Sequence, residues 1–466
     1  MSEKNTNVLV LGGGPGGYAA AFMAADLGLD VTLVDQAENP GGVCLYRGCI
    51  PSKALLHAAK VITEAREAAE IGLDFGTPKI DRDKLAGWKE KVVQQLTGGL
   101  GQLRKARKVE FLQGTGKFVD ANTLEVEGEG RVRFQHAIIA TGSRPIVPGP
   151  LQLDSPKVMD STAALVLEDI PERLLVIGGG YIGLELGTVY SALGSQVTVV
   201  EMMDGLLPGA DRDLVKVLEK RVRSLFSEVL LKTRVTDIVE TLRGLKVSME
   251  PEREEIYDKV LVSVGRRPNT EGFGLENTGV KLDEHGFVAI DRQCRTNVEH
   301  IYAIGDVSGQ PMLAHRASHQ GRLAAQVING SKAIFDPHAI PAVVFTDPEL
   351  AWCGLTEEEA AQKGIEIEVA RFPWGASGRA LTLGRGEGLT KLILEPRTER
   401  VLGMGIVGPG AGELIAEGAL AVEMAAVAED LALTIHAHPT LSETVMESAE
   451  VFFGTSTHVA RPKSKR

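Results

Sequence analysis

Apolar runs typical of buried strands alternate with helical segments over the first two thirds of the chain. The run Val8–Leu11 leads into a glycine-rich turn, Gly12–Gly17, and an alanine-rich helical segment, Tyr18–Leu27, follows this turn. Gly28 ends the helical segment, and Val31–Val34 has the pattern of a second buried strand. A strand, a glycine-rich turn, a helix and a second strand in this order are typical of a Rossmann-like unit that binds a dinucleotide.

The chain contains a second copy of this unit. Leu174–Ile177 has the pattern of a buried strand, Gly178–Gly183 repeats the glycine-rich turn, and Val197–Val200 repeats the second strand. The step of 166 residues from position 12 to position 178 equals the step from Asp35 to Glu201. Because unrelated segments would not keep this register, the sequence predicts two dinucleotide-binding folds.

An acidic residue follows the second strand of each unit. Asp35 and Glu201 stand where a carboxylate accepts hydrogen bonds from a ribose hydroxyl, while amides at the start of the helix meet the pyrophosphate. A carboxylate at Glu201 would repel a 2′-phosphate, and Met202 and Met203 offer no arginine to hold one. The second site is therefore predicted to prefer NAD to NADP.

The remaining segments of this region supply further strands, helices and two turns of similar sequence. Thr141–Pro145 closes the first nucleotide-binding domain and resembles Val262–Pro268, which closes the second. Ile301–Asp306 has the pattern of a strand with which the chain returns to the first domain. Helical sequence is predicted over Ala54–Glu70 and over Arg82–Arg107, the latter interrupted near Gly98 and Gly99, and strands are predicted at Val109–Leu112, Thr123–Val126 and Ala137–Ala140.

The composition changes from about Pro341, where strands and helices alternate as in an α+β domain. The predicted strands are Ala342–Phe345, Lys391–Leu394 and Val401–Val407, and the predicted helices are Thr356–Gln362 and Gly412–Ala425. The fold class is thus α/β, with two Rossmann-like dinucleotide-binding domains and a C-terminal α+β domain. The predicted parts are residues 1–150 and 276–340 for the first dinucleotide-binding domain, 151–275 for the second, and 341–466 for the C-terminal domain.

Composition narrows the class of protein. The 466 residues, 44% apolar and 24% charged, suit a globular protein of about three domains. We find no apolar run long enough to span a bilayer, and the polar start Met1–Asn7 resembles neither a signal peptide nor a transit peptide. Four cysteines in so long a chain favour a reducing cytoplasm, where a disulfide is more often catalytic than structural. The net charge of −12 argues against nucleic acid as a partner and suits either a basic protein partner or simple solubility.

Two of the cysteines stand close together in the stretch Gly-Gly-Val-Cys-Leu-Tyr-Arg-Gly-Cys. An ideal helix would hold Cys44 and Cys49 too far apart for a disulfide, but a distorted turn around Gly48 would bring them together. If a helix begins at Pro51, Cys49 lies at its positive end, near the cation of Lys53, and its thiol pKa falls. These features favour a redox-active dithiol over two ordinary buried thiols.

Half of a metal site is the other alternative for this pair. A structural site needs four protein ligands, and a catalytic site needs three ligands and water. The other two cysteines, Cys294 and Cys353, stand alone without ligand spacing. No metal site is therefore predicted.

Near the C-terminus, His438 precedes Glu443 by five residues in His-Ala-His-Pro-Thr-Leu-Ser-Glu. A glutamate in this position can orient the ring and fix its tautomer, which would make His438 a general base. A lone histidine is more often structural than catalytic, so both interpretations stay open on these residues alone.

Together these motifs resemble those of the dihydrolipoyl dehydrogenases, flavoproteins of the pyridine nucleotide–disulfide oxidoreductase family. The resemblance extends from about Asn7 to Thr455 and rests on Gly48–Lys53, the paired glycine-rich turns, Ala303–Asp306 and His436–Glu443 in this order. It implies FAD at the first site, NAD at the second site, and a dimerisation role for the C-terminal domain.

The resemblance also implies contacts with each cofactor. Tyr181 stands where many members of the family have an aliphatic residue, and it is either a lid over the nicotinamide pocket or a packing residue. The implied FAD contacts are Gly12, Gly14, Gly17, Asp35, Lys53, Gly116, Thr141, Gly142, Asp306 and Ala314. The implied NAD contacts are Gly178, Gly180, Tyr181, Gly183, Glu201, Val235 and Gly265.

The resemblance assigns roles in the redox reaction to four further residues. Cys44 matches the thiol that exchanges with dihydrolipoamide, and Cys49 matches the thiol that lies against the flavin. Lys53 would lie near the reactive edge of the flavin, paired with Glu185. The implied reaction is the oxidation of protein-bound dihydrolipoamide to lipoamide, with reduction of NAD to NADH.

The resemblance further implies partners. His438 would be the base and Glu443 its orienting residue, and in the family this base comes from the opposite subunit of an obligatory homodimer. Lipoyl domains would be the substrate carriers, and the basic peripheral subunit-binding domain of the acyltransferase core of 2-oxo acid dehydrogenase complexes would dock to the enzyme. An acidic docking surface, or else an ordinary solvated helix face, is expected at Glu413, Glu417, Glu423, Glu429 and Asp430.

The alternatives are another flavin disulfide reductase and a non-catalytic flavoprotein subunit. Glutathione reductase normally uses NADPH, which Glu201 disfavours, and mercuric reductase carries a C-terminal cysteine pair, whereas no cysteine follows Cys353. The intact cysteine pair and His438 argue against a non-catalytic subunit. The chain departs from the family pattern at Val43 and at Tyr46-Arg47, which leaves the packing and redox poise of this loop open.

Overall fold

The first strand of the chain lies at the centre of a mixed sheet in the computed structural model, which describes residues 3–460. The elements up to residue 150 are β1 (Glu3–Leu11), α1 (Pro15–Asp26), β2 (Val31–Asp35), α2 (Gly42–Arg47), α3 (Cys49–Glu67), α4 (Arg82–Ala106), β3 (Glu110–Gln113), β4 (Gly116–Asp120), β5 (Thr123–Val126), β6 (Gly130–Ile139) and β7 (Ser143–Pro145). β1 pairs in parallel with β2 and β6, β3 extends the sheet beyond β2, and the antiparallel strands β5 and β4 extend it beyond β6. Val8, Leu9 and Val10 are fully buried, as expected for a strand covered on both faces.

The second Rossmann-like unit forms a parallel sheet of its own. Its elements are β8 (Val158–Met159), α5 (Ser161–Val166), β9 (Arg173–Ile177), α6 (Tyr181–Leu193), β10 (Gln196–Val200), α7 (Arg212–Leu225), β11 (Glu228–Leu230), β12 (Arg234–Thr241), β13 (Gly244–Glu250), β14 (Arg253–Tyr257), β15 (Lys259–Val262) and β16 (Arg266–Pro268). The strand order is β11-β10-β9-β15-β8, and β12, β13 and β14 form a separate antiparallel sheet. The sequence repeat therefore corresponds to a repeated strand–turn–helix–strand structure.

The two turns of similar sequence pair with each other. β7 and β16 form a two-stranded antiparallel sheet in which Ser143 lies opposite Pro268 and Pro145 lies opposite Arg266. The chain thus leaves the first domain and re-enters it through two strands that are joined by hydrogen bonds. This pairing fixes the second domain against the first beside the cavity that Ser143 and Arg266 line.

The chain then returns to the first sheet. β17 (Ile301–Ala303) pairs in parallel with β6, and α8 (Ala314–Ile328) packs against α1. The two helices can approach closely because Gly321 has no side chain: a Cβ there would lie 2.3 Å from the carbonyl oxygen of Gly16. This contact holds the start of α1 at the end of the sheet, where the first glycine-rich turn lies.

The C-terminal part is an antiparallel sheet covered by helices. Its elements are β18 (Ala342–Val344), β19 (Leu350–Gly354), α9 (Glu357–Lys363), β20 (Glu368–Pro373), α10 (Gly378–Thr382), β21 (Leu389–Leu394), β22 (Val401–Val407), α11 (Ala411–Glu423), α12 (Ala428–Leu433) and α13 (Glu443–Phe453). The strand order is β18-β19-β22-β21-β20, and Trp374 is fully buried in the core. The predicted fold class, two Rossmann-like domains with a C-terminal α+β domain, is confirmed.

Some predicted elements were wrong in detail. α4 continues through Gly98 and Gly99, where the sequence predicts an interruption, because Val93 and Thr97 are buried on one face and hold this long helix in place. Strands β19 and β20 were not predicted. The strand β1 begins at Glu3, inside the polar segment Met1–Asn7, because it pairs there with β6; Met1 and Ser2 lie outside the described residues.

Most other predicted bounds differ from the structure by three residues or fewer, but α3 begins five residues before the predicted helix Ala54–Glu70, and β6 begins seven residues before the predicted strand Ala137–Ala140. Short 3-10 segments lie at Ala68–Ile71, Gly149–Leu151, Leu275–Asn277, Gly305–Ser308 and Trp374–Ala376. The boundaries 1–150, 151–275, 276–340 and 341–466 stay a prediction, and the last six residues of the final part lie outside the described range. Within residues 3–460, every helix is too short or too polar to cross a membrane.

Candidate active site

The two glycine-rich turns share a geometry that requires glycine. At Gly12 the backbone φ is +106°, and a Cβ there would lie 2.3 Å from the carbonyl oxygen of Ala140. A Cβ at Gly17 would lie 1.8 Å from the oxygen of Gly12. In the second turn φ is +108° at Gly178, and a Cβ at Gly183 would lie 2.2 Å from the oxygen of Gly178. Since α1 begins at Pro15 and α6 at Tyr181, within the two glycine-rich segments, the N-terminal amides of both helices are available to a pyrophosphate.

The acids after the second strands hold these turns in place. Asp35 accepts hydrogen bonds from the backbone amides of Gly13 at 2.6 Å and Ala37 at 2.8 Å. Glu201 accepts them from Gly179 and Met203, both at 2.8 Å. Sequence reasoning assigned these carboxylates to ribose hydroxyls alone. Each carboxylate oxygen can accept more than one hydrogen bond, so both acids can also serve a ribose.

The first turn opens onto a cavity between the domains. All ten residues predicted to contact FAD line this cavity, together with both cysteines, Tyr181 and Glu185. The cavity wall is built from close-packed glycine backbone: a Cβ at Gly42 would lie 2.5 Å from the Cα of Gly14. Backbone amides as donors to a pyrophosphate, the Asp35 carboxylate as an acceptor for a ribose and the Lys53 cation beside the flavin ring together fit FAD.

The two cysteines meet in this cavity because the helix breaks between them. α2 ends at Arg47, and α3 begins at Cys49 itself rather than at Pro51 as the sequence predicts. At Gly48 the backbone takes φ −146° and ψ −116°, and a Cβ there would lie 2.8 Å from the carbonyl oxygen of Val43. The predicted distortion around Gly48 is therefore present.

The two thiols have opposite protonation preferences. The pKa of Cys49 is lowered to about 7: a hydrogen bond from the Cys44 thiol and the charge of the Lys53 ammonium lower it, while burial opposes this change. The same hydrogen bond, with burial, raises the pKa of Cys44. In the reduced form the thiolate therefore resides on Cys49 and the proton on Cys44.

Glu185 joins three parts of the chain beside these cysteines. One carboxylate oxygen accepts a hydrogen bond from Lys53 Nζ at 2.7 Å and from Ser52 Oγ at 3.0 Å. The other oxygen accepts a hydrogen bond from the backbone N–H of Phe345 at 3.0 Å, and Lys53 Nζ lies 4.5 Å from the centre of the Phe345 ring. The Lys53–Glu185 pair is present, whereas the participation of Ser52 and Phe345 was not predicted.

A second network of hydrogen bonds also lines the cavity. Ser143 Oγ donates to Asp306 Oδ2 at 2.6 Å, and Arg266 Nε donates to Ser143 Oγ at 2.8 Å. Sequence reasoning gave Arg266 no role, although it lines the cavity. Thr141 Oγ1 donates to the carbonyl oxygen of Asn269 at 2.7 Å, which fixes the neighbouring turn.

The residues predicted to hold NAD lie around the second turn. Gly180 is the N-cap of α6, and Tyr181 is its first residue and lines the first cavity. Val235 is buried in β12 within the core of the second domain, so a cofactor could reach only its backbone. Gly265 takes φ +144°, and its carbonyl oxygen accepts a hydrogen bond from the Ile146 N–H at 3.0 Å.

The predicted base lies outside this cavity. His438 Nδ1 lies 2.9 Å from Glu443 Oε1, and the Thr440 N–H donates to Glu443 Oε2 at 2.8 Å. The His438 side chain is 79% exposed, and neither member of the pair is among the described residues that line the cysteine cavity. The orienting contact is thus formed, but a single chain does not bring His438 to the cysteines.

A cluster of three carboxylates elsewhere is bridged by a lysine. Asp211, Asp213 and Glu357 group their oxygens within 4.8 Å of one another. Lys391 Nζ lies 2.6, 2.8 and 2.5 Å from these three side chains and is fully buried. Lys391 and Arg371, which also pairs with Asp213 and Glu357, supply the positive charge of this cluster, which ties α7 to the C-terminal sheet.

Comparisons with known proteins agree with this architecture. The family model described as "Pyridine nucleotide-disulphide oxidoreductase" matches residues 6–321. The model described as "Pyridine nucleotide-disulphide oxidoreductase, dimerisation domain" matches residues 340–449. The dihydrolipoyl dehydrogenase of Vibrio cholerae is 53% identical over 471 aligned residues, covering 100% of this chain and 99% of the relative. That of Haemophilus influenzae is 51% identical and covers 99% and 98%.

Solved structures show the same fold. LpdA from Mycobacterium tuberculosis superposes with a TM-score of 0.89 at 28% identity, covering 96% of this chain and 99% of the other. The HOCl-induced flavoprotein disulfide reductase RclA from Escherichia coli gives a TM-score of 0.85 at 27% identity, with 94% and 98% covered. With both domain descriptions matched in order and relatives about half identical over their full length, the chain belongs to the pyridine nucleotide-disulphide oxidoreductase family.

Proposed function

We propose that the chain is a dihydrolipoyl dehydrogenase, which oxidises protein-bound dihydrolipoamide to lipoamide and reduces NAD to NADH. The observation that carries this proposal is the contact between the Cys44 and Cys49 thiols at the start of α3, inside the cavity lined by the first glycine-rich turn. The choice of substrate within the family is supported by the full-length relatives named dihydrolipoyl dehydrogenase.

Two cofactors serve this reaction. FAD would be held by the first glycine-rich turn, Asp35 and Asp306, and NAD by the second turn and Glu201. When bound, FAD carries two electrons from the dithiol to NAD, which receives them as a hydride. Lys53 would place its positive charge beside the flavin ring, where Glu185 keeps it oriented.

The dithiol step exchanges one disulfide for another. In the oxidised enzyme a disulfide joins Cys44 and Cys49; a substrate thiolate attacks the Cys44 sulfur, and the bonding electron pair leaves on Cys49 as a thiolate. The second substrate thiol, once deprotonated, attacks the substrate sulfur of this mixed disulfide and expels Cys44, which takes up a proton. The substrate leaves as its cyclic disulfide, and the enzyme holds two reduced sulfurs. The low pKa of Cys49, about 7, suits it as the leaving group.

His438 would accept the substrate protons. With the Nδ1–H directed at Glu443, the Nε2 lone pair is free to act as a base. Because the pair lies outside the cysteine cavity of its own chain, we infer that a second copy of the chain supplies it. Exposed apolar side chains of the dimerisation domain provide a surface for this second copy: Leu420, Met424, Leu433 and Ile435.

The larger assembly is part of the same proposal. Lipoyl domains would carry the substrate, and the peripheral subunit-binding domain of an acyltransferase core of 2-oxo acid dehydrogenase complexes would dock to the enzyme. The glycine cleavage system is a further source of the same lipoyl substrate. We place the protein in the cytoplasm, since a long chain with four free thiols suits a reducing compartment.

Anaerobic titration of the purified FAD-loaded enzyme tests this function. We expect dihydrolipoamide to bleach the oxidised flavin spectrum and subsequent NAD to restore it with formation of NADH. A flavin spectrum that dihydrolipoamide leaves unchanged would favour the non-catalytic flavoprotein. Reduction of glutathione disulfide with NADPH, without lipoamide turnover, would favour the glutathione reductase alternative.

A further inference from the structure

Phe345 meets the Lys53–Glu185 pair in two independent ways. Its backbone N–H donates to Glu185 Oε1 at 3.0 Å, while Lys53 binds the other oxygen of the same carboxylate at 2.7 Å. The face of its ring lies under the Lys53 ammonium, with Nζ 4.5 Å from the ring centre. A cation at this distance over an aromatic face is attracted by the negative face of the ring.

Phe345 belongs to a different part of the chain from its two partners. Lys53 is on α3 of the first domain, Glu185 is on α6 of the second, and Phe345 directly follows β18 of the dimerisation domain. The Glu185 side chain is 4% exposed, whereas the Lys53 side chain is 33% exposed and borders the cavity. The lysine, not the glutamate, is therefore the member of the pair that needs an additional contact to keep its position.

The segment that carries Phe345 is itself firmly anchored. Two residues further on, Asp347 Oδ2 accepts from Arg221 at 2.8 Å, and its Oδ1 accepts from Arg385 at 2.6 Å. Arg221 also contacts Glu67 at the end of α3, the helix that begins with Cys49. Both ends of α3 are thus tied to the segment around Phe345, which places the ring next to Lys53.

We propose that Phe345 is a positioning residue for the reaction, which holds the Lys53 ammonium beside the cysteine pair through its ring face. The proposal rests on the proposed function, since it assigns Phe345 to the same site. Through Lys53, the ring acts on the Cys49 thiolate, which has a charge opposite to that of the ammonium. The titratable groups that interact with the Cys49 thiol are Cys44, Lys53, Glu185, Tyr18 and Tyr181.

The test uses the FAD-loaded enzyme in a Cys44→Ser background, where Cys49 is the remaining site thiol. A thiolate against oxidised flavin adds a long-wavelength absorbance, and its pH midpoint reports the pKa of Cys49. We expect Phe345→Leu to raise this midpoint by about half a unit to one unit, because Lys53 keeps its bond to Glu185 but loses the ring face that holds it beside the cysteine pair. Phe345→Trp keeps an aromatic face and should leave the midpoint at the background value.

Two further measurements separate positioning from general stability. In a Lys53→Met background, Phe345→Leu should produce no additional shift, because the ring then has no cation to hold. Phe335→Leu, which truncates a half-buried ring of the first domain, is the matched control and should leave the midpoint unchanged. With Cys44 intact, Phe345→Leu should lower kcat for NADH formation about three- to tenfold while KM for NAD stays the same.

Phe345→Met is measured in parallel, because its long side chain fills similar space if the leucine variant does not fold. Midpoints of the leucine and methionine variants equal to the background value would overturn the proposal. If Phe345→Leu shifts the pH midpoint equally in the presence and absence of Lys53, Phe345 has a merely structural role, and the proposal is overturned. Absence of lipoamide turnover in the unaltered enzyme would instead refute the proposed function, and the absorbance titration would still decide the role of Phe345.

Discussion

The imidazole of His438 is oriented by Glu443 at a distance of 2.9 Å, yet it is almost fully open to solvent in the single chain. Burial would raise the pKa of Glu443, but the Thr440 N–H and the His438 ring outweigh it and hold this pKa below its usual value. The carboxylate therefore stays charged near neutral pH and keeps the proton on Nδ1. The contact with Glu443 therefore orients the ring in the single chain, as the proposed role of His438 as a base supplied by a second copy requires.

Glu443→Gln should lower kcat/KM for dihydrolipoamide by about ten- to a hundredfold, because the amide no longer fixes the tautomer or stabilises the protonated ring. Oxidation of NADH by an artificial electron acceptor should be unchanged, since it bypasses the thiol step. Steady-state kinetics with both acceptors give the comparison, with Glu450→Gln on the same helix as the matched control. Equal loss of both activities would contradict the assigned role.

Cys44→Ser and Cys49→Ser should each abolish lipoamide-dependent NADH formation while FAD remains bound. Each thiol is needed to form and break the disulfide, whereas the glycine turn and Asp35 that would hold FAD are untouched. Activity is followed by NADH absorbance, and FAD content by the ratio of flavin to protein absorbance. Cys294→Ala, which removes a fully buried thiol outside the site, is the control. Substantial turnover in either site variant would refute the dithiol mechanism.

Local pattern was sufficient to predict most of this site. The two glycine-rich turns, Asp35 and Glu201 are readable because each lies within one strand–turn–helix–strand unit, and the break at Gly48 follows from the cysteine spacing. Ser52, in contrast, acts through a contact with Glu185, 133 residues away. A pattern within a few neighbouring residues does not indicate a contact between segments that are distant in the sequence.

The same reason explains the other omissions. Arg266 reaches Ser143 across 123 residues, and Phe345 reaches Glu185 across 160. Both contacts exist only after separate domains have packed together. The strand β19 was missed for a different reason: it is five residues long, contains Trp352 and Cys353, and is stabilised by β18 and β22 on either side rather than by its own alternation.

Glu201→Ala should narrow the preference for NAD over NADP in kcat/KM from several orders of magnitude to roughly tenfold or less. The repulsion of a 2′-phosphate disappears with the carboxylate. Because Glu201 also holds the Gly179 and Met203 amides, the variant should bind NAD itself more weakly as well. Kinetics with both cofactors, with Glu252→Ala on the surface as control, separate these effects. Comparable efficiency of the unaltered enzyme with NAD and NADP would show that the carboxylate does not select the cofactor.

The reduced enzyme should gain stability from Cys49 as the pH rises from 6 to 9. The folded pKa of Cys49 is about 7 against an ordinary 9.0, so its contribution is complete above pH 9 and is lost as the pH falls through 7. Cys44, with a raised pKa, stays protonated in the folded enzyme and opposes the trend only as the pH nears 9.0, where the thiol of the unfolded chain ionises. The difference in thermal midpoint between the reduced unaltered enzyme and Cys49→Ser should therefore be larger at pH 9 than at pH 6. A difference independent of pH would mean that the thiolate does not reside on Cys49.

Of the five acidic residues expected to form a docking surface for the acyltransferase core, three are engaged in contacts within their own domain. Glu417 accepts a hydrogen bond from His436, Glu423 accepts from the amides of His338 and Ala339, and Asp430 accepts from the Val427 amide. These three carboxylates stabilise their own domain, so their reversal would disturb the fold.

Glu413 and Glu429 are exposed, and neither forms a side-chain ion pair with another residue of the described range 3–460. The double variant Glu413→Lys, Glu429→Lys should slow association with the basic peripheral subunit-binding domain about tenfold at low salt. The effect should fade at physiological ionic strength, where the Debye length is about 8 Å. Turnover of free dihydrolipoamide should be unchanged, since the chemistry lies at Cys44 and His438. Glu252→Lys, Glu284→Lys makes the same change in charge outside the dimerisation domain and is the matched control. If the first double variant associates at the unaltered rate at low salt, or if the control slows association equally, the docking surface lies elsewhere.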